Sequence, residues 1–456
     1  MGLLAALAIC WPTQVAGADL SLQILYGLKS NPKNPRAELV QGSDGNFYGT
    51  TAFGGTGGEN GTVFAITPAG VFAILHSFQG LDGALPWSSL VQGRDGLFYG
   101  TAQGGGTNGD FGTVFQIATN GDFTVLHYFG GSDGRYPQAP LRQDADGNFY
   151  GTTAFGGTNG DQGTVFKITP KGLFTSLFSF SGTNGRRPVA GLIQASDGNF
   201  YGTTAEGGLT YEGPGVLGQG TVFRMTPEGA LTPLFSFSGP DGSGPTAGLV
   251  ETSDGSFYGT TQGGGANGDN GTVFKITPGA GLSTLYSFAG PDGNYPVAGL
   301  TRGADGNFYG TTSGDRSFAG TNTFGTIFRI TPEGRLTTLY SFNGTDGASP
   351  VAGLVPGNDG NFYGTTFEGG PGDGGTLFRL VKCPLITGVS ASEENVTLAW
   401  TSFTNGSYRV EYKPVLTETT WTALSPDVIA TNNKTVVTYL LAGTRQRFFR
   451  IRLLPP

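Results

Sequence analysis

The chain has 456 residues, of which 82 are glycine, and its 25 Lys and Arg against 33 Asp and Glu give a formal net charge of −8. The glycine follows no triplet period, which excludes a collagen-like fibre, and the regular Phe, Tyr, Val and Ile content argues against disorder. No cluster of Lys or Arg occurs, so the sequence does not favour nucleic acid or an anionic lipid surface as a partner.

Residues 1–18 have the pattern of a secretory signal peptide. Residues 3–9 form a short apolar core, and Ala16 and Ala18 are small residues at the two positions that a signal peptidase reads. The segment is too short to span a bilayer. We therefore predict cleavage near Ala18, a mature chain without a transmembrane span, and a secreted or cell-surface location.

The hexapeptide Asp-Gly-x-Phe-Tyr-Gly occurs seven times, at intervals of between 51 and 57 residues. The copies begin at Asp44, Asp95, Asp146, Asp197, Asp254, Asp305 and Asp359. A fixed period of this length indicates one supersecondary unit that is copied and stacked. The repeat, rather than any single segment, therefore determines the fold.

Each copy predicts four strands, which we call A to D. In the sixth copy they fall at 298–301, 307–312, 325–331 and 336–342. These runs are rich in β-branched and aromatic residues, and the segments between them are rich in Gly, Pro, Asn and Asp. Asp-Gly and Pro-x-Gly are hairpin signals, because glycine supplies the positive φ that such turns need.

Seven copies of a four-stranded unit predict an all-β fold with a seven-bladed β-propeller over residues 19–382. The seventh copy lacks strand D, but residues 22–28 match 336–342 in pattern. We therefore expect strand 20–28 to complete the last blade and close the ring, which removes two unpaired sheet edges. The predicted blade repeats lie near 37–78, 88–129, 139–180, 190–237, 247–288, 298–342 and 352–381.

Residues 384–456 carry no repeat and predict a separate small β-sandwich. Alternating patterns indicate six or seven strands, at 386–392, 395–402, 406–412, 420–424, 435–441 and 447–454. Trp400, Tyr408, Tyr412 and Trp421 supply aromatic anchors for its core. The segment resembles a fibronectin type III domain, particularly in the run from Tyr408 to Tyr412 and in the later Trp421.

The repeat itself resembles the glycine-rich tandem repeat called GloVer. The shared pattern is Asp-Gly-Asn-Phe-Tyr-Gly-Thr-Thr, then Gly-Thr-Val-Phe-(Lys/Arg)-Ile-Thr-Pro, then Leu-Tyr-Ser-Phe, and it recurs over residues 20–381. The resemblance implies a bacterial surface or secreted protein. It implies no activity, since none is attached to the family.

The residues that suggest chemistry have structural interpretations. His76 and His127 fall in one position of strand D that is aromatic in the other copies, so we expect packing roles. Each Asp of the hexapeptide is expected to hydrogen-bond within its own turn. No motif for nucleophilic, zinc or phosphate chemistry occurs, so the sequence predicts no catalytic residue.

The B–C and D–A loops are expected on one common face, which we call the upper face. Insertions lengthen the B–C loops of copies four and six, where they place aromatic and charged side chains. Such side chains suit sugar or peptide contact, although neutral loop growth would explain them equally well. The predicted binding residues are Tyr211, Glu212, Asp269, Asp315, Arg316 and Phe318.

The upper face is also acidic, which makes calcium a possible cofactor, with Asp110, Asp161, Asp269 and Asp373 as candidate ligands. The predicted function is a non-catalytic extracellular binding or adhesion module for carbohydrate or protein. Two alternatives remain open at this point. One is a polysaccharide lyase or glycosidase on the same face, and the other is a purely structural surface protein.

Overall fold

The computed structural model describes residues 5–6, 20–213, 215–279, 281–314, 324–382, 386–392, 395–402, 407–415, 417–432, 434–440 and 448–453. Every regular element in these ranges is a β-strand, as the sequence predicts. The chain divides into two compact units. One comprises Tyr26–Val355 and Gly364–Leu377, and the other Met1–Leu25, Pro356–Tyr363 and Phe378–Pro456.

Seven four-stranded sheets follow the seven copies of the repeat, with the strands in the order A, B, C, D. Strand A is Val40–Gln41, Val91–Gln92, Arg142–Gln143, Ile193–Gln194, Val250–Glu251, Thr301–Arg302 and Val355–Pro356. Strand B is Phe47–Thr51, Phe98–Ala102, Phe149–Thr153, Phe200–Thr204, Phe257–Thr261, Phe308–Thr312 and Phe362–Thr366. Strand C is Thr62–Ile66, Thr113–Ile117, Thr164–Ile168, Thr221–Met225, Thr272–Thr277, Thr326–Ile330 and Thr376–Lys382. In the first six copies strand D is Phe72–Ser77, Phe123–Tyr128, Phe174–Ser179, Leu231–Ser236, Gly281–Ser287 and Leu336–Ser341.

The fourth strand of the seventh sheet comes from the other end of the sequence. This sheet has the order Leu20–Gly27, Thr376–Lys382, Phe362–Thr366, Val355–Pro356. Leu20–Gly27 therefore occupies the strand D position of copy seven. The match between residues 22–28 and the strand D pattern predicted this position.

Strand B is fully buried in all seven copies. Its central glycine makes room for the phenylalanine of strand C, since a Cβ on Gly49 would lie 2.7 Å from the Phe64 ring. Tyr48 packs against Phe98 of the next copy, with 4.1 Å between ring centroids. The apolar core therefore lies between successive sheets, where burial of Phe and Tyr is the main favourable term.

One position near the end of strand D, which we call the aromatic slot, stacks on the first residue of the next strand D. The His76 ring lies 3.8 Å from that of Phe123, at an interplanar angle of 4°. His127 stacks on Phe174 in the same way, at 3.9 Å. Tyr26 of the N-terminal strand stacks on Phe72, at 4.5 Å and 8°. The N-terminal strand thus contacts copy one in the same way that copy one contacts copy two.

The C-terminal region forms two sheets. A three-stranded sheet contains Ile386–Ala391, Asn395–Thr401 and Lys434–Leu440, in that order. A second sheet has the order Ala5–Ala6, Phe448–Leu453, Ser407–Lys413, Thr422–Ile429. Trp400, Tyr408 and Phe449 belong to one buried cluster drawn from both sheets. Trp400 and Tyr408, predicted as aromatic anchors, therefore lie in this core.

One strand of this region is longer than predicted. The sequence places its end at residue 424, before Ser425-Pro426, whereas Thr422–Ile429 continues through the proline. The strand lies at the edge of its sheet, where a missing N–H is tolerated. Its pairing with Ser407–Lys413 also shifts register between Tyr408 and Val410, which is the irregularity that a bulge produces.

Candidate functional site

A cavity of about 320 Å³ is lined mainly by the residues immediately before strand A in all seven copies. Two lining positions recur in every copy, immediately before and after a small buried residue. The first position holds Arg36, Trp87, Gln138, Val189, Thr246, Val297 and Val351. The second position holds Glu38, Ser89, Pro140, Gly191, Gly248, Gly299 and Gly353. The seven copies thus contribute equivalent backbone but different side chains to one space.

Glycine at the second position creates much of this space. Neither Gly248 nor Gly299 has a positive φ, so the backbone does not require glycine there. A Cβ would meet its nearest neighbour at 3.5 Å on Gly248 and 3.6 Å on Gly299, which is ordinary contact. Copies one to three carry Glu38, Ser89 and Pro140 at this position, so side chains are sterically possible. Larger residues at Gly248 or Gly299 would therefore fill the cavity.

Glu38 is the only acidic residue among the described residues that line the cavity. Its side chain is half-buried, and it makes no ion pair with any residue in the described part of the chain. Burial raises the pKa of Glu38, and the N–H of Gly353, which donates a hydrogen bond to the carboxylate, opposes that rise. The N–H of Glu38 donates to Ser89 Oγ at 3.0 Å.

Arg36 lies above Trp87, with 4.2 Å between its guanidinium carbon and the ring centroid. Burial by the surrounding protein lowers the pKa of Arg36, although part of its side chain is exposed to solvent. The charge of Arg187 lowers that pKa further. The cavity therefore combines an acid, a cation and an aromatic ring from copies one and two.

The B–C and D–A loops meet as the sequence predicts. Isolated bridges join Ala84 to Gly104, Arg135 to Phe155, Arg186 to Glu206, Ser243 to Gly263 and Ala348 to Glu368. Each bridge connects the D–A loop that enters a copy with the B–C loop of that copy. The carboxylates of these loops act locally. Asp161 accepts the N–H of Gly156 at 2.6 Å, and Asp110 and Asp269 accept the N–H of Gly105 and Gly264.

Asp110, Asp161 and Asp269, three of the four calcium candidates, therefore hydrogen-bond within their own loops. Asp110, Asp161, Asp269 and Asp373 all adopt positive φ, between 56° and 65°. Asp161 also pairs with Arg135, whose Nε donates to Oδ1 at 2.9 Å. Burial alone would raise the pKa of Asp161, but the hydrogen bonds from Arg135 and Gly156 lower it. Within the described residues, no three His, Cys, Asp or Glu side chains are placed to hold a metal ion.

The insertion in copy four forms a short hairpin of Tyr211–Gly213 with Val216–Leu217. The Tyr211 ring covers Gly182, since a Cβ on that glycine would overlap the ring. Glu212 is exposed. The other predicted binding residues of the insertions, Asp315, Arg316 and Phe318, lie outside the described residues, so their role in binding stays a prediction.

The hexapeptide Asp makes the turn contacts that the sequence predicts. Asp44 accepts the N–H of Asn46 at 3.1 Å, the Asn46 side-chain amide at 2.8 Å and the Tyr48 hydroxyl at 2.7 Å. The histidines lie in the aromatic slot, and each also donates from Nε2 to an Asp six residues later, His76 to Asp82 and His127 to Asp133, both at 2.9 Å. Each histidine thus combines ring stacking with a hydrogen bond to the loop that follows its strand.

The sequence interpretation missed the cavity residues Arg36, Glu38 and Trp87. A usable signal existed, because copies four to seven read Ala-Gly-Leu at the start of strand A. Copies one to three replace that glycine with Glu38, Ser89 and Pro140. A comparison of the copies at this position, rather than of loop lengths, would have found the asymmetry.

A family model described as the Gloeobacter/Verrucomicrobia repeat matches residues 15–214 and 208–412. No curated protein sequence matches the chain. No helix that could cross a membrane occurs in the part of the chain that the structure describes.

Several solved structures are similar in fold at low identity. A gluconolactonase from Xanthomonas campestris is 18% identical, with a TM-score of 0.38 over 59% of this chain and 78% of that one. PorZ, a surface component of the type-IX secretion system of Porphyromonas gingivalis, is 13% identical, with a TM-score of 0.48 over 90% of this chain and 56% of that one. Sqt1 from Saccharomyces cerevisiae is 11% identical, with a TM-score of 0.46 over 82% and 94%.

Proposed function

Because the chain belongs to the Gloeobacter/Verrucomicrobia repeat family, we propose that its seven sheets are the blades of a closed propeller. The contacts between the chain's early and late segments support closure. The N–H of Leu28 donates to the carbonyl of Gly375 at 2.9 Å, and the Asn34 side-chain amide donates to the carbonyl of Phe367 at 2.8 Å. Tyr26 makes the aromatic-slot contact towards Phe72. In this proposal the cavity is the central channel.

We further propose that the protein is a secreted or cell-surface binding module without catalytic activity, and that the channel is its ligand site. The observation that carries this proposal is the lining itself. Seven equivalent positions converge on one space, in which Gly248 and Gly299 leave room for a ligand. A ligand site is commonly a concave space with a few placed polar groups, and Glu38, Arg36 and Ser89 are such groups here. A carbohydrate or a short protein segment is the expected partner.

An enzyme that acted in the cavity would need more acidic groups than the described lining supplies. A glycosidase uses two carboxyl groups on either side of the bond that it breaks. A lyase needs a base near the proton that it removes. Glu38 has a raised pKa, which suits an acid, but its described surroundings in the cavity hold no second carboxyl group. This favours binding without turnover.

The C-terminal region is proposed to be a fibronectin type III-like sandwich. Its two sheets and the buried pair Trp400 and Tyr408, with 5.9 Å between ring centroids, support this interpretation. Such a module can serve as a spacer or a second contact surface. The ligand site that we propose does not depend on it.

A glycan array combined with polysaccharide depolymerisation assays tests the function. We expect binding to one glycan class and no released product. Gly248→Leu should fill the channel and abolish binding, because only the Gly191 carbonyl lies within 4 Å of the new Cβ. Thr232→Leu, on an exposed position of strand D, is the matched control and should bind normally.

Two results would overturn the proposal. Release of oligosaccharides by the wild-type protein would make it an enzyme. Unchanged binding in Gly248→Leu would move the site away from the channel, and the loops around Tyr211 would then be the next place to test.

A further inference from the structure

The lining of the cavity is uneven in charge. At the first lining position, copies four to seven carry only Val or Thr, whereas copies one to three carry Arg36, Trp87 and Gln138. Arg36 makes no ion pair with any residue that the structure describes. Its contact is the face of the Trp87 ring, with 4.2 Å between the guanidinium carbon and the ring centroid. A guanidinium held in this way can donate hydrogen bonds to an acceptor on a ligand.

A second cation, Arg187, belongs to copy four. It stands two residues before Val189, which lines the cavity, and its charge lowers the pKa of Arg36. Arg187 Nη1 pairs with Glu206 Oε1 at 3.0 Å, but Glu206 also binds Arg186. Arg187 Nε is buried and has no acceptor among the described residues. One carboxylate thus serves two guanidinium groups, while Arg36 is unpaired.

We propose that this side of the cavity binds the oxyanion of a small acidic ligand. Arg36 contacts the oxyanion directly, and Trp87 is a positioning residue that holds Arg36. Carboxylate, sulfate and phosphate share the planar or forked oxygen geometry that a guanidinium recognises with two parallel hydrogen bonds. The inference rests on the proposed function, since it takes the cavity to be the ligand site.

The other residues that line the cavity indicate what kind of molecule the oxyanion belongs to. Ser89, Thr246 and Gln138 offer hydroxyl and amide groups, and Glu38 offers a carboxyl group. These groups suit the hydroxyls of a sugar. A cavity of about 320 Å³ is at the small end of ligand sites, so it accommodates one residue rather than a long chain segment. The ligand class is therefore an acidic monosaccharide unit, such as a hexuronic acid.

Isothermal titration of the full-length protein tests this assignment with galacturonate, galactose, inorganic sulfate and inorganic phosphate. We expect galacturonate to bind and galactose to bind at least about tenfold more weakly, since a hydrogen-bonded charge contributes roughly that factor. Binding should weaken as salt is raised. If sulfate or phosphate competes with galacturonate, the oxyanion alone is recognised. If neither competes, the sugar hydroxyls are needed as well, and both results support the inference.

Single substitutions test which residues bind the acidic ligand. Arg36→Gln should weaken galacturonate binding by at least about tenfold, whereas Lys171→Gln, which removes one exposed positive charge from a C–D turn, should not. Trp87→Leu should weaken binding and Trp87→Tyr should restore it, because a tyrosine ring can still support the guanidinium. Equal binding of galactose and galacturonate, or unchanged binding in Arg36→Gln, would overturn the inference and leave the channel-binding proposal intact. Absence of binding by galacturonate, sulfate and phosphate would also overturn it, and the glycan array with Gly248→Leu would then decide the proposed function separately.

Discussion

The aromatic slot shows how one side chain can serve both packing and hydrogen bonding. His127 stacks on Phe174 and donates to Asp133, while Tyr340 at the equivalent position donates to Asp346 at 2.5 Å. Burial would raise the pKa of Asp133, but the hydrogen bonds from His127 and from the N–H of Gly130 lower it. A tyrosine or a histidine can therefore form both the stacking contact and the charge-assisted hydrogen bond. A phenylalanine can form only the stacking contact.

We accordingly expect His127→Tyr to keep the free energy of unfolding close to the wild-type value and His127→Phe to lower it by about 1 kcal/mol. The phenylalanine retains the stack but leaves Asp133 without its side-chain donor. Urea denaturation at neutral pH measures the difference. Equal stability of the two variants would show that the hydrogen bond contributes nothing net.

Because of the tyrosine in the hexapeptide, we expect the free energy of unfolding to fall at strongly alkaline pH. Burial, followed by the hydrogen bond to Asp44, raises the pKa of Tyr48 to about 12, and Tyr201 beside Asp197 is raised to about 12 for the same reasons. An unfolded tyrosine has a pKa of about 10. The folded state therefore favours the protonated form, so this stabilisation is complete below about pH 10 and is lost as the pH rises through 12.

Absorbance at 295 nm and circular dichroism, recorded together from pH 9 to 13, test this prediction. A class of tyrosines should ionise near pH 12, and the sheet signal should fall over the same interval. Ionisation of all tyrosines near pH 10 with the sheet signal intact would contradict it. Tyr48→Phe should remove one residue from the late-ionising class.

At the scale of elements, the hairpin of copy four is the clearest departure from the repeat. Its two strands have three and two residues, so its own hydrogen bonds can stabilise it only slightly. The contact of Tyr211 with Gly182 joins it to the neighbouring D–A loop. We expect Tyr211→Ala to release the hairpin and to speed proteolytic cleavage within residues 209–218, with little change in melting temperature.

Glu212→Ala is the matched control, because Glu212 is exposed on the same strand. It should be cleaved at the wild-type rate. Mass spectrometry of the fragments identifies the cut site. Equal cleavage rates in both variants would show that the Tyr211 ring does not hold the hairpin.

The elements also show what the sequence could predict. Strands B and C and their turns follow from local signals, since Asp44 contacts residues only two and four positions away. Pro426 misled the prediction of one strand end, because tolerance of proline depends on whether a strand lies at a sheet edge. The cavity could not be predicted from local sequence signals in the same way. Arg36 and Trp87 come together only when separate copies are placed side by side, and no local pattern encodes that arrangement.

At the scale of the whole molecule, closure is the feature on which the proposed channel depends. In the seventh sheet Leu20–Gly27 covers Thr376–Lys382. Without it, that strand would be an unpaired edge, and Phe72 would lose the stacking partner Tyr26. Unpaired edges promote aggregation, because their free N–H and C=O groups can pair with another chain.

A chain that starts at Ala37 should therefore aggregate or melt at a markedly lower temperature than the full-length protein. Tyr26→Ala in the full chain should have a smaller effect, since the strand stays paired and only the ring contact is lost. A synthetic peptide of residues 20–36 added to the shortened chain should restore the monomer and raise its melting temperature, whereas a scrambled peptide of the same composition should not. Size-exclusion chromatography and calorimetry measure both effects. A shortened chain that is monomeric and melts at the full-length temperature would show that the N-terminal strand does not close the ring, and the channel would then need another explanation for its seven-fold lining.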